Sequence, residues 1–210
     1  MAQFSFKSKS SVVIGTFNIY IVQPQSLIAM DVFERENDTP IGVAGDLTRP
    51  GLRFEVGGTE WTVRPDRLSV ETRDYNIDCG TFVKKTLKKL CWTPIGAIGA
   101  NAMFVAPRDA VESLDVQFPV CPGAMQRTIH TSLKVGDSTV NLQLGQTPEH
   151  LELHLNVHTD LSRLRNDPKM LNSIGTAVCG DCDQQLNEAM DKARDIFHVE
   201  LNCDQVIQPL

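Results

Sequence analysis

Apolar and polar residues alternate along several stretches of this chain and recur at every third or fourth position along others. Leu52-Arg-Phe-Glu-Val56 alternates, breaks at Gly57-Gly58 and resumes as Thr59-Glu-Trp-Thr-Val63. Two glycines between alternating runs predict a hairpin, because they supply the positive φ angles that a two-residue turn requires. Arg67 to Arg73 continues the alternation, with Leu68, Val70 and Thr72 set against Arg67, Ser69, Glu71 and Arg73. Val12 to Val22 is rich in β-branched and aromatic residues and is closed by Pro24, which predicts an earlier strand. Gln25 to Phe33 fits either a helical turn or extended chain. Glu34 to Pro50 carries Pro40, Gly42, Gly45 and Pro50 among charges and reads as a long surface loop.

Helical spacing is clearest from Gly80 to Leu90. Phe82, Val83, Thr86, Leu87 and Leu90 share one face, and Lys84, Lys85, Lys88 and Lys89 take the other. Asp78 is the expected cap, and late lysines suit the negative end of the helix dipole. Thr93-Pro94 ends the helix, and Ile95 to Val105 predicts an apolar strand whose Gly96, Gly99 and Ala100 admit a close neighbour. Trp61 to Asn101 therefore reads as one β-α-β unit.

Beyond a break at Pro107 to Pro122, the stretches Arg127 to Leu133, Thr139 to Leu144 and Leu151 to Val157 predict an antiparallel meander. It turns at Gly136-Asp137 and again near Gly145 to Pro148. Asp167-Pro168 starts a helix with Leu171, Ile174 and Val178 as its stripe, and a second helix runs from about Asp183 to His198. The expected fold is α+β over residues 1–210, with helices packed on one face of a twisted, mainly antiparallel sheet. Residues 1–106 and 123–210 read alike, strands followed by a helix, so two similar halves are one version of that fold.

Gly15-Thr-Phe-Asn18, Pro24, Trp61-x-Val-x-Pro-Asp-Arg-Leu68 and Thr93-Pro-Ile-x-Ala-Ile-Gly-x-Asn101 occur here in that order. This arrangement resembles a group of uncharacterised prokaryotic and phage proteins of similar size that share a Thr-Pro-x-x-Ala-x-Gly-x-Asn phrase. The resemblance covers about half of the chain. It implies an α+β fold and a prokaryotic or phage source, and it implies no reaction.

Composition narrows the function. A net charge of −6 disfavours a general nucleic-acid coat, which needs an excess of Lys and Arg. No apolar run approaches the ~20 residues that span a bilayer, and the first residues lack the apolar core of a signal peptide, so a cytoplasmic protein without membrane contact is expected. Six cysteines at this length, without a secretion signal, read as free thiols. No phosphate-binding glycine loop, nucleophile elbow or dinucleotide fingerprint is present, and no cofactor is expected.

Three constellations remain. Cys179-Gly-Asp-Cys182 is a CxxC that needs further ligands, such as His198 or Cys203, before it can hold zinc; a helix-helix turn with two half-buried thiols is the plainer reading. His150, His154 and His158 fall on one side of a strand, with His154 and His158 ~13 Å apart, too far to share a metal. Lys84, Lys85, Lys88 and Lys89, with Arg67 and Arg73, are the single basic concentration and would suit an acidic partner or a nucleic-acid backbone. The leading functional expectation is a non-enzymatic subunit that binds a protein partner or itself through free strand edges. Nucleic-acid binding by the lysine face is one alternative. A metal- or thiol-dependent enzyme built on Cys179 and Cys182 is the other.

Overall fold

The longest strand, β1 (Ala2–Gly15), lies at the middle of the sheet. The computed structural model of the chain describes residues 1–32, 42–45, 51–114, 118, 127–162 and 167–204. β1 corrects the strand expected over Val12 to Val22. It starts ten residues earlier and ends at Gly15, where the chain turns away: Thr16 N–H donates to the Pro94 carbonyl and Phe17 N–H to the Pro65 carbonyl. The pattern hid this start for two reasons. A bulge between Phe6 and Ser8 shifts the alternation by one residue, and Lys9 and Ser11 then occupy buried positions.

After the short helix α1 (Pro24–Ala29) come β2 (Gly42–Gly45), β3 (Leu52–Val56), β4 (Thr59–Arg64) and β5 (Arg67–Thr72), a meander that returns to β1. β2 corrects the loop reading of Glu34 to Pro50; the rest of that loop lies outside the described residues. Gly57 and Gly58 both have positive φ and make the expected tight turn between β3 and β4. Helix α2 (Cys79–Lys89) then crosses behind β1 to β6 (Ile95–Pro107), which pairs antiparallel along most of β1. The β-α-β unit is thus present, split by β1 lying between its two strands.

The second part repeats this path. From β6 the chain passes through a 3-10 turn, Arg108–Ser113, to the meander β7 (Arg127–Val135), β8 (Ser138–Gln146) and β9 (His150–Asp160). β9 returns to pair with β6 as β5 returns to pair with β1. Helices α3 (Pro168–Gly180) and α4 (Cys182–Phe197) follow, and β10 (Val199–Asn202) docks parallel to the start of β1. The connectivity makes β6 the first strand of the second unit, so the repeat divides between α2 and β6 and not across 107–122. The strand order is β2-β3-β4-β5-β1-β6-β9-β8-β7, an open α+β sheet that is antiparallel apart from β10.

All three long helices lie on the sheet face lined by Phe4, Phe6, Leu68, Val70, Phe104, Leu153 and Leu155. Asp78 caps α2 by accepting from Thr81 N–H, worth about 1 kcal/mol, while full burial of Val83 and Leu87 contributes about 1.5–3 kcal/mol each. Packing, more than the cap, holds α2 in place. The buried face of α3 is Asn172, Gly175, Thr176 and Cys179, with Leu171, Ile174 and Val178 only flanking it, a correction to the expected stripe. Small residues win that face because α3 lies close on β6: a Cβ at Gly175 would stand 2.9 Å from Ile98 Cδ1. The close approach expected of Gly96 and Gly99 is supplied by the helix instead.

Candidate interaction surface

The four lysines of α2 do not form one surface. Lys85, Lys88 and Lys89 are exposed, but Lys84 lies over Gly180 at the end of α3, in space a Cβ there would fill. A cation at that place suits the carboxyl end of the α3 dipole. Arg67 projects from the sheet face opposite α2, since Leu68, Val70 and Thr72 are the buried residues of β5, and Arg73 is exposed just past the end of that strand. The basic concentration expected from the sequence is therefore split three ways. Next to Lys88 and Lys89, the Trp92 indole is 71% exposed with Lys169 Nζ 5.4 Å from its ring centre.

Cys179 is the penultimate residue of α3 and Cys182 opens α4, with Gly180 and Asp181 between them. Both thiols are buried, and Cys182 Sγ donates to the Val178 carbonyl at 3.7 Å. The neighbouring Cys182, with burial, pushes Cys179 up, while Cys179, helped by Ser11, draws Cys182 down against burial. His198 caps the far end of α4, ~24 Å along the helix, and Cys203 lies beyond β10. Among the described residues no group of three or more potential ligands could hold a metal ion. Cys79, Cys91, Cys179, Cys182 and Cys203 are unbridged, and Cys121 lies outside the described residues.

Beside the CxxC lies a pair that the pattern concealed. Lys9 is 4% exposed and donates to Asp183 Oδ2 at 2.7 Å, with its ammonium 4.9 Å from the Tyr75 ring centre. Burial pushes the Asp183 carboxyl up, more than pairing with Lys9 draws it down. This ion pair ties the first unit to the second.

The sheet face opposite the three long helices carries the histidines. Glu152 accepts from His150 Nε2 at 2.7 Å and from His154 Nε2 at 3.1 Å, so one carboxylate bridges two rings of the row. Burial raises the Glu152 pKa, but the two hydrogen bonds outweigh it and leave it below the ordinary value. One strand-step away, Ser10, Asn101, Asn156, Asn141 and Ser132 stand in register on five neighbouring strands. They link in sequence: Asn101 donates to Ser10 (3.2 Å), Asn156 to Asn101 (2.7 Å), Asn141 to Asn156 (3.0 Å) and Ser132 to Asn141 (2.7 Å). Each residue is visible in the sequence as a polar position of a strand, but only strand register reveals the chain of bonds.

That chain ends on β7, the sheet's outer strand. β7 pairs on one side with β8, and no other described strand meets its second side. Gly136, with φ +56°, opens the two-residue turn into β8, which fixes Val135 and Ser138 as a bonded pair. Counting back, Arg127, Ile129, Thr131, Leu133 and Val135 bond β8, and Thr128, His130, Ser132 and Lys134 turn their backbone groups outward. Ile129, Leu133 and Val135 lie on the helix side of the sheet but remain only half-buried, because α4 lies over β9 and β6 and barely reaches β8.

A groove of about 970 Å³ opens there, between the β7–β8 turn, the end of β9 and the flanks of α3 and α4. Val135, Val140, Ile174 and Val178 contribute its apolar lining. Its charged lining is acidic: Asp137, Asp160, Asp181, Glu188 and Asp191 outnumber Lys134 and Lys192. No protein-family model matches this chain, and no curated protein matches it either.

Proposed function

We propose that the protein works by binding another protein chain, as an assembly subunit rather than an enzyme. The observation that supports this is β7: nine residues without Gly or Pro, with outward backbone groups and a half-buried apolar row beside an acidic groove. Such an edge is a template for an added strand, because each outward N–H and C=O gains a partner while alternate side chains gain neighbours. A photoreactive amino acid at His130, in cells that make the protein, should yield a covalent adduct with one defined protein. The same probe at Glu55, near the far edge of the sheet, should not. Absence of any adduct at His130 overturns the proposal.

One observation favours a second reading, contact with a nucleic-acid backbone. The exposed Trp92 ring under Lys169, beside Lys88 and Lys89, offers an aromatic platform among cations. Against it stands the withdrawal of Lys84, Arg67 and Arg73 from that surface. Binding of single-stranded DNA that weakens steeply with salt and is lost on Trp92→Ala would support it; no binding at low salt ends it.

A further inference from the structure

We propose that the chain received by β7 is the β7 of a second copy, paired antiparallel about a two-fold axis at Thr131. This inference rests on the edge-binding reading and names its partner. Antiparallel pairing must bring outward residues opposite outward residues, which leaves few registers. The one centred on Thr131 uses all nine residues of β7, setting His130 opposite Ser132 of the second copy and Thr128 opposite Lys134, so that every outward backbone group is satisfied. On the helix side it sets Ile129 opposite Leu133 and Thr131 opposite Thr131, apolar and hydroxyl pairs of the kind that stabilise sheets. Moving the axis to Ser132 would set His130 against Lys134 and would leave Arg127 and Thr128 facing the β7–β8 turn, outside the ladder. The axis at Thr131 avoids both defects.

The same register explains Arg127. The alternation places its side chain on the helix side, half-buried, where no described residue forms an ion pair with it. In the dimer Arg127 of each copy stands opposite Val135 of the other, at the mouth of the acidic groove and beside Asp137. Acids thus meet a cation that has no ion-pair partner among the described residues, and the contact repeats at both ends of the shared ladder.

Sedimentation equilibrium of the pure protein should show a monomer–dimer equilibrium. His130→Pro removes an outward N–H without touching the bonds to β8, so it should abolish the dimer while leaving the circular dichroism spectrum unchanged. Arg127→Glu should weaken dimerisation at least about tenfold. Thr131→Cys should form a covalent dimer under mild oxidation well above the wild-type background, because residues facing each other in a non-bonded antiparallel pair lie ~4.5 Å apart at Cα. Lys134→Cys should not, its copies being ~20 Å apart. A monomer at every concentration, or a dimer that ignores His130→Pro and fails to cross-link at Thr131, overturns the inference. A monomeric protein whose His130 probe captures a different, identified chain also overturns it and leaves the protein-binding proposal standing.

Discussion

The two units of this fold follow one path and finish their outer surfaces in opposite ways. A single row of facing residues crosses the sheet face opposite the long helices from β3 to β7. In the first unit it reads Glu55, Glu60 and Glu71, each directly opposite the next. Beyond Ser10 of β1, in the second unit, it reads Asn101, Asn156, Asn141 and Ser132, joined by hydrogen bonds. The outer strands differ as well. β2 has four residues with glycine at both ends, whereas β7 has nine and none. Like charges on facing strands repel, and a short glycine-bounded edge offers little to pair with. Under the binding proposal, the first unit is finished against association and the second is open to it. Shared topology therefore sets where strands lie, and side-chain choice at facing positions sets which edge another chain can use.

The comparison assumes that the units act as one body, and the contacts that join them give the largest expected effects. Asp183→Ala should cost about 3 kcal/mol of unfolding free energy, because it strands the Lys9 ammonium in the core; a third of Asp183 remains in water, which keeps the loss at the low end for such pairs. Replacing both partners, Lys9→Met with Asp183→Leu, should be close to neutral, since burial disfavours the ionised form of Asp183 to begin with. Urea titrations of the two variants test this. Equal losses would mean that the pair adds net stability by itself.

Two glycines at the same junction separate rigid from yielding neighbours. A Cβ at Gly80 would run into the Cys179 carbonyl oxygen and stand 3.0 Å from Cys182 Cβ, both fixed by the backbone of the second unit. A Cβ at Gly180 would meet only the end of Lys84, a flexible side chain. Gly80→Ala should therefore destabilise by about 1–3 kcal/mol, as overpacking does, and Gly180→Ala by well under about 1 kcal/mol. Thermal unfolding of both variants checks the ranking. A reversed order would show that Lys84, not the CxxC turn, fastens α2 to the second unit.

How much of this was legible in the sequence follows from the kind of interaction involved. The β3–β4 hairpin, the meander of the second unit, the caps Asp78 and Asp167 and the length of α4 are local, and residue spacing carried them. The start of β1 was not legible because Lys9 and Ser11 sit where apolar residues are expected, and the partner that accounts for Lys9 is Asp183, which is 174 residues away. The lysine face was read correctly as helical, but helical period cannot say that Lys84 will be covered by α3. The strand order that makes β7 an edge, and the row of amides that ends there, depend on pairings no local pattern encodes.

The row itself gives the finest test of the comparison. Asn156 donates to Asn101 and accepts from Asn141, so Asn156→Ala breaks two bonds in a half-buried row and should cost about 1–2 kcal/mol. In the first unit the expected sign is opposite. Glu71 is exposed and faces Glu60, whose charge is already matched by Arg53 through an ion pair. Removing the Glu71 charge relieves a facing repulsion and breaks no bond of the row, so Glu71→Gln should stabilise by a few tenths of a kcal/mol. The gain should shrink as salt is raised, because exposed charges are screened within about 10 Å at 0.1 M ionic strength. Urea midpoints for both variants at low and high salt read this out. A loss of stability for Glu71→Gln at low salt would mean that the acidic half of the row is held by bonds as the amide half is, and the contrast between the two units would fail at that point.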